Sequence, residues 1–254
     1  MKKSFKITLT LFLLVFLQAF QLSLGQAVLT ADELLGLKRG YVYDLKPDGT
    51  ELIYSVLTPR GPNEEPGPAH REYFRMDLPG NASSPLFDDG IKGSSPRYSP
   101  DGSLIAFLYK KEEGHTQVWA IPAEGGDMVQ LTRADNDVSY YRFHPDGQGI
   151  AYLSREPETE REIELEKRGY GFIFYEENLK NNRLFTTRFD EDLNPGPEKQ
   201  LLLGTHVWNF EFSPDGQWLA FSSSEKNLID HRYMFRELQI LDLSTGEVVM
   251  EVGN

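Results

Sequence analysis

Short apolar runs alternate with polar turns along most of the chain. Four of these runs share one setting, because each follows the tripeptide Pro-Asp-Gly and a short spacer. A second short segment that favours a strand precedes each tripeptide. Runs of three or four residues bounded by proline, aspartate and glycine are typical of β-strands joined by tight turns. The runs after the turns are Leu52–Tyr54, Leu104–Phe107, Ile150–Tyr152 and Leu219–Phe221.

The chemistry of the Pro-Asp-Gly tripeptide explains why it forms a turn. Proline presets φ, aspartate accepts backbone hydrogen bonds, and glycine adopts the positive φ that other residues resist. A residue that recurs at the same turn in every repeat has the same structural task each time, so we interpret these residues as structural, not as acids or metal ligands. They are Asp48, Gly49, Asp101, Gly102, Asp146, Gly147, Asp215 and Gly216.

The spacing of the repeat suggests the size of its structural unit. Successive turn aspartates are 53, 45 and 69 residues apart, which suits a four-stranded unit. The sequence therefore predicts an all-β fold, a β-propeller of four-stranded antiparallel blades, with about four blades forming an incomplete ring. The expected propeller domain covers residues 28–254, with blades near 40–88, 94–132, 137–203 and 206–252.

Two segments depart from the repeat. Thr30 and Glu33 form a capping-box pattern, which predicts a short helix before the first blade. The third blade carries an insertion from about Glu156 to Asn182, which is charged in its first half and aromatic in its second. We expect a surface loop whose aromatic residues pack on the blade rim, or alternatively one that reaches a partner.

The first 27 residues are typical of a signal peptide. Three lysines precede an apolar run from Ile7 to about Phe20, and small residues suited to cleavage follow. The alternative is an uncleaved anchor. Both alternatives predict export of the remaining chain, to the periplasm or the medium. Cleavage of the signal peptide would leave no membrane contact.

Composition and motifs exclude several kinds of chemistry. With 39 acidic and 26 basic residues the net charge is −13, which disfavours nucleic acid as a partner. The chain has no cysteine, no Gly-x-Ser-x-Gly elbow and no phosphate-binding loop. We therefore predict no catalytic residue, no metal and no cofactor. Glu176 and Glu177, which lie among aromatic residues, are weak candidates for binding a substrate ammonium group.

The amino-acid sequence of the repeats resembles that of known propellers. It is similar to the repeat of the Tol-system proteins and to the N-terminal propeller of the prolyl oligopeptidase family of serine peptidases, in its acylaminoacyl-peptidase and dipeptidyl-aminopeptidase branch. The opening helix, the third-blade insertion and the fourth blade favour the peptidase branch. The segments that carry the resemblance are Ser99–Phe107, Gln117–Trp119, Gly125–Gly126, Gln130–Thr132, Lys167–Gly169, Asn182–Leu184, His206–Trp208 and Ser213–Phe221.

The resemblance implies a role for the chain. In the peptidase family the propeller caps a C-terminal α/β-hydrolase domain, restricts access to its Ser-Asp-His triad and helps to hold peptide substrates. We therefore expect a non-catalytic propeller portion of an exported serine peptidase, with the hydrolase domain as its partner and a reading frame that continues past Asn254. The alternative is a free-standing periplasmic Tol-type propeller that binds other proteins.

Overall fold

The computed structural model describes residues 30–171, 176–177 and 179–252. Within these ranges sixteen strands form four sheets of four strands, and neighbouring strands follow chain order in every sheet. The resolved strand pairings are antiparallel. The predicted propeller fold is therefore confirmed, and the four sheets do not close into a ring in this part of the chain.

The first two sheets show the repeat with short connections. Their eight strands are β1 (Arg39–Leu45), β2 (Glu51–Thr58), β3 (His70–Asp77), β4 (Ala82–Pro85), β5 (Ser94–Tyr98), β6 (Leu104–Tyr109), β7 (Gln117–Pro122) and β8 (Val129–Gln130).

The third and fourth sheets have the same order, with longer connections between their second and third strands. Their eight strands are β9 (Val138–Phe143), β10 (Gly149–Arg155), β11 (Asn182–Arg188), β12 (Lys199–Gln200), β13 (His206–Phe212), β14 (Trp218–Ser224), β15 (Glu237–Asp242) and β16 (Val248–Val252).

The chain divides into two compact units, residues 1–40 with 56–71 and residues 41–55 with 72–254. In the described part of the smaller unit, helix α1 (Ala31–Leu35) begins at a capping box. Thr30 Oγ1 accepts a 3.2 Å bond from the Glu33 amide, and the Thr30 amide donates a 2.8 Å bond to the Glu33 carboxylate. The helix predicted before the first blade is confirmed. The predicted signal peptide lies outside the described residues.

The core of the larger unit lies between neighbouring sheets. Ile53, Ile105, Tyr152, Leu153 and Phe221 are each at most 1% exposed, and they belong to three apolar clusters. Burying one large apolar side chain contributes roughly 1.5–3 kcal/mol. The hydrophobic effect therefore holds each sheet mainly against its neighbours in the chain.

The insertion contains a helix where the sequence predicts a loop. Helix α2 (Glu160–Lys167) begins at a second capping box, Thr159 with Glu162, and none of its residues is buried. The threonine-to-glutamate spacing is the same signal that predicts α1, but here it lies inside a charged stretch without an apolar face. A short helix, α3 (Ile229–Tyr233), lies in the corresponding connection of the fourth sheet.

Candidate functional site

The strand order assigns the connections of the larger unit to two opposite faces. In a four-stranded antiparallel sheet, the connection between the second and third strands lies opposite the connection between the first and second. The Pro-Asp-Gly turns therefore share one face, here called the turn face. The insertion (residues 156–181), α3 and the C-terminal end of β16 lie on the other, here called the insertion face.

The turn residues make the same contacts in all four sheets. Each aspartate Oδ1 accepts a 2.9–3.0 Å bond from the amide two residues later, as Asp48 does from Thr50. The four glycines have φ between 69° and 74°. Hydrogen bonds from Thr50 lower the pKa of Asp48, and a hydrogen bond from Ser213 does the same for Asp215. The carboxylates are thus engaged in forming the turns.

Asp146 has additional partners. Its carboxylate receives a 2.7 Å bond from Arg188 Nη2 and lies 2.8 Å from His144 Nδ1. Partial burial raises the pKa of Asp146, but the bonds from Arg188, the Gln148 amide and His144 outweigh that effect and lower it to about 2. This turn is therefore tied to the third strand of its own sheet.

A pocket of about 360 Å³ opens at the base of the insertion. Its walls come from the link between the second and third sheets, the ends of β10 and β11, and β12. They include three carboxylates, two guanidinium groups and one aromatic ring. The lining residues include Asn136, Glu156, Arg183, Phe185, Glu198 and Gln200.

An ion pair closes the insertion at its two ends. Glu156 follows β10 and Arg183 lies in β11; the guanidinium group bonds the Glu156 carboxylate through Nε at 2.8 Å and also through Nη2. Glu156 also accepts a 2.8 Å bond from the Asn181 amide, and Arg183 Nη1 donates a 2.8 Å bond to the carbonyl of Thr205. Both side chains are less than one third exposed. The insertion is thus anchored to its own sheet and to the link that leads to the fourth sheet.

A buried histidine lies beside this anchor. His206, at the start of β13, is 1% exposed, and its Nδ1 accepts a 3.0 Å bond from the Asn182 amide. Its Nε2 therefore carries the proton of the neutral ring, and that atom has no hydrogen-bond partner in the described part of the chain. Burial, and then the charge of Arg183, lower the pKa of His206 to about 4. Sequence patterns did not identify the contact among His206, Asn182 and Arg183, because it depends on how two sheets pack.

The predicted ammonium-binding candidates lie elsewhere. Glu176 and Glu177 are exposed, and Glu176 has a positive φ of 61°. Neither residue lines the pocket or makes a hydrogen bond or ion pair with another described residue. The aromatic neighbours Phe172, Phe174 and Tyr175 lie outside the described residues. The structure therefore does not bring this pair together with the anchor.

The described residues include neither a metal-binding cluster nor a membrane-spanning helix. Among the described residues, no group of three histidine or acidic side chains is arranged to hold a metal ion. Of the helices in those ranges, none is long and apolar enough to cross a lipid bilayer.

Four consecutive meanders packed sheet against sheet define a β-propeller domain. No protein-family model matches the chain. Dipeptidyl-peptidase 5 of Porphyromonas endodontalis is 29% identical over 128 residues, which cover 50% of this chain and 18% of the relative. The uncharacterized peptidase YuxL of Bacillus subtilis is 26% identical over 212 residues, covering 78% of this chain and 31% of the relative. The chain thus spans less than one third of these two relatives.

Solved structures share the fold at low identity. Acylaminoacyl peptidase from Pyrococcus horikoshii matches with a TM-score of 0.54 and 13% identity, over 84% of this chain and 33% of that one. TolB from Acinetobacter baumannii matches with a TM-score of 0.52 and 17% identity, over 83% of this chain and 43% of that one. The resemblance to the propeller part of prolyl oligopeptidase-type peptidases is therefore confirmed as a similarity of sequence and fold.

Proposed function

We propose that this chain is the propeller part of an exported serine peptidase, in which it admits and positions peptides for a hydrolase domain. The observation that carries the proposal is the sequence similarity to two peptidases, which extends in one of them over 78% of this chain. The chain matches only a part of each relative, and in this chain the matched residues belong to a propeller fold. A separate domain would supply the activated serine and the oxyanion hole that acyl transfer requires.

The geometry supports a role for the insertion face. Strand β16 ends on that face, so a domain that followed it would begin there. The anchored insertion and the 360 Å³ pocket open on the same face. Peptides that approached such a domain through the propeller would pass these groups. Glu176 and Glu177 remain candidates for binding the amino terminus of a peptide.

The test compares the chain with the protein encoded by its complete reading frame. We expect the complete protein to hydrolyse dipeptidyl 4-nitroanilides and to react with a fluorophosphonate serine probe, and the 254-residue chain alone to do neither. Deleting residues 157–181 from the complete protein should change which peptide lengths it cleaves while leaving the reaction with the probe intact.

Other outcomes would contradict the proposal. A reading frame that ends at Asn254 and yields a soluble, cooperatively unfolding product would favour the free-standing propeller. Probe labelling of a serine within this chain, lost when that serine is replaced, would show that the chain itself is catalytic. Export is tested separately, by mass spectrometry of the envelope protein, which should find a new N-terminus at Gln26 or Val28.

A further inference from the structure

A row of four charged residues crosses the first strands of the four sheets. Each residue lies three positions before the proline of its turn, so the repeat places them at equivalent points. In the second, third and fourth sheets the residue opposite on the neighbouring strand is alanine. Small cross-strand partners leave room beside each charged group. The row consists of Asp44, Arg97, Arg142 and Glu211.

Direct hydrogen bonds connect the first strands from sheet to sheet. Asp44 Oδ2 in β1 accepts a 2.8 Å bond from the amide of Tyr98 in β5. Tyr141 Oη in β9 donates a 2.8 Å bond to the carbonyl of Ser95 in β5. Arg142 Nε in β9 donates a 2.8 Å bond to Glu211 Oε2 in β13. The first strands of all four sheets are therefore neighbours at this level.

Arg97 differs from the other members of the row. It is partly buried, and it makes no hydrogen bond or ion pair with any residue that the structure describes. Arg142, by contrast, bonds Glu211 and the carbonyl of Tyr141 and lies 4.4 Å from the centre of the Tyr140 ring. Withdrawing a charge from water without a partner is unfavourable. The five N–H donors of Arg97 are thus available to an anion.

The backbone fixes where Arg97 points. The pairing of β5 with β6 shifts register between Ser94 and Arg97, and Ser95 has a positive φ of 53°. Bulges of this kind redirect the side chains that follow them. The buried Tyr141 hydroxyl braces the bulge, because its one proton is shared between the carbonyl oxygens of Ser95 and Ala106, which lie at 2.8 and 2.7 Å. Arg97 is therefore carried on a braced segment of strand.

We propose that Arg97 binds a carboxylate group of a peptide ligand at this row on the first strands of the sheets. A guanidinium group matches a carboxylate through two parallel hydrogen bonds. The neighbours of Arg97 in the row are Asp44, which is negatively charged, and Arg142, whose charge is paired with that of Glu211. These surroundings repel a second negative charge, which favours a singly charged carboxylate over a doubly charged phosphate. The proposal rests on the proposed function only in taking the carboxylate to belong to a peptide.

The experiment uses fluorescence anisotropy with N-terminally labelled pentapeptides. One peptide has a free C-terminal carboxylate, the second a C-terminal amide, and the third an amide together with an internal glutamate. We expect the free carboxylate to bind about tenfold more tightly than the amide. Arg97→Gln should abolish the difference, and Arg97→Lys should restore part of it. Arg236→Gln, at an exposed position near α3, should leave it unchanged. The third peptide shows whether Arg97 also binds the carboxylate of a glutamate side chain.

Several results would overturn the inference. If the acid and amide peptides bind equally, or if their difference survives in Arg97→Gln, the carboxylate site is wrong while the proposed function stands. If no peptide binds, the site is tested by an NMR titration of the ¹⁵N-labelled protein with acetate. A carboxylate site at Arg97 requires that acetate shift the Arg97 Nε–Hε signal. An absent shift, or tighter binding of inorganic phosphate than of acetate, refutes the carboxylate site directly.

Discussion

Two turn glycines with nearly the same backbone differ in their surroundings. Gly49 and Gly216 have φ of 74° and 69°, so an alanine at either position is strained by roughly 1–2 kcal/mol. A Cβ atom at Gly49 would meet no atom within 4 Å, whereas one at Gly216 would lie 2.6 Å from Cε1 of His144. The imidazole ring of the third sheet thus packs directly on the turn of the fourth.

We predict that Gly216→Ala lowers the free energy of unfolding by clearly more than Gly49→Ala does. The backbone strain is common to both variants, and only the Gly216 variant must also displace an aromatic ring. Urea unfolding of the two variants and the parent measures the difference. Equal losses in the two variants would show that the His144 ring moves aside at no cost.

The buried histidine gives the protein a defined pH dependence. The pKa of His206 is lowered in the folded state to about 4, compared with about 6.5 in an unfolded chain. Between these values the unfolded state binds a proton that the folded state does not, so stability falls as the pH decreases through this range. Above about pH 7 the contribution of His206 to the free energy of unfolding is constant. The nearby charges are those of Arg183 and Glu156.

We predict that lowering the pH from 7 to 5 reduces the free energy of unfolding of the parent by roughly 1–2 kcal/mol more than that of His206→Gln. The glutamine amide oxygen can still accept the Asn182 bond, so the variant retains the local structure while losing the titration. Urea unfolding at both pH values measures the loss. Identical pH slopes for the two proteins would mean that His206 is protonated equally in the folded and unfolded states.

At the level of elements, the insertion depends on the ion pair at its base. Replacing Glu156 with glutamine leaves Arg183 partly buried without a carboxylate, and we expect the free energy of opening the insertion to fall by roughly 1–3 kcal/mol. Trypsin should then cut after Arg161, Lys167 or Arg168 about 5- to 150-fold faster. The rest of the propeller should remain resistant.

The matched control for that prediction is Glu164→Gln. Glu164 forms an exposed pair with Arg168 at 3.5 Å, and exposed pairs of this kind contribute little. Equal trypsin sensitivity of the two variants would show that the Glu156–Arg183 pair does not hold the insertion closed.

The sequence predicts some elements much better than others, for physical reasons. The strands around Asp101 and Asp146 were predictable because proline, aspartate and glycine act on their own local backbone. Helix α2 was missed although its capping box is visible, because no apolar face marks it as a helix. The contact between Glu156 and Arg183 bridges the two ends of a 26-residue connection. No local sequence pattern predicts a contact between residues so far apart in the chain.

On the scale of the whole larger unit, successive turns contact one another. A Cβ atom at Gly102 would lie 3.3 Å from Cδ of Pro47, and one at Gly147 would lie 3.9 Å from Cδ of Pro100. The contact between Gly216 and His144 continues the series. Each turn therefore packs on the turn of the preceding sheet. Stability in such an array is approximately a sum over units and the interfaces between neighbours.

This stacking of turns has an evolutionary consequence. The turn of each unit packs on the turn before it and is contacted by the turn after it. Each unit therefore contains both complementary surfaces of this contact. Tandem duplication of one unit within the gene would copy both surfaces together, and the new copy would fit on either side without further substitutions. The number of blades can then change in a single genetic event, whereas the specialised connections, such as the insertion after Glu156, diverge later by point mutation.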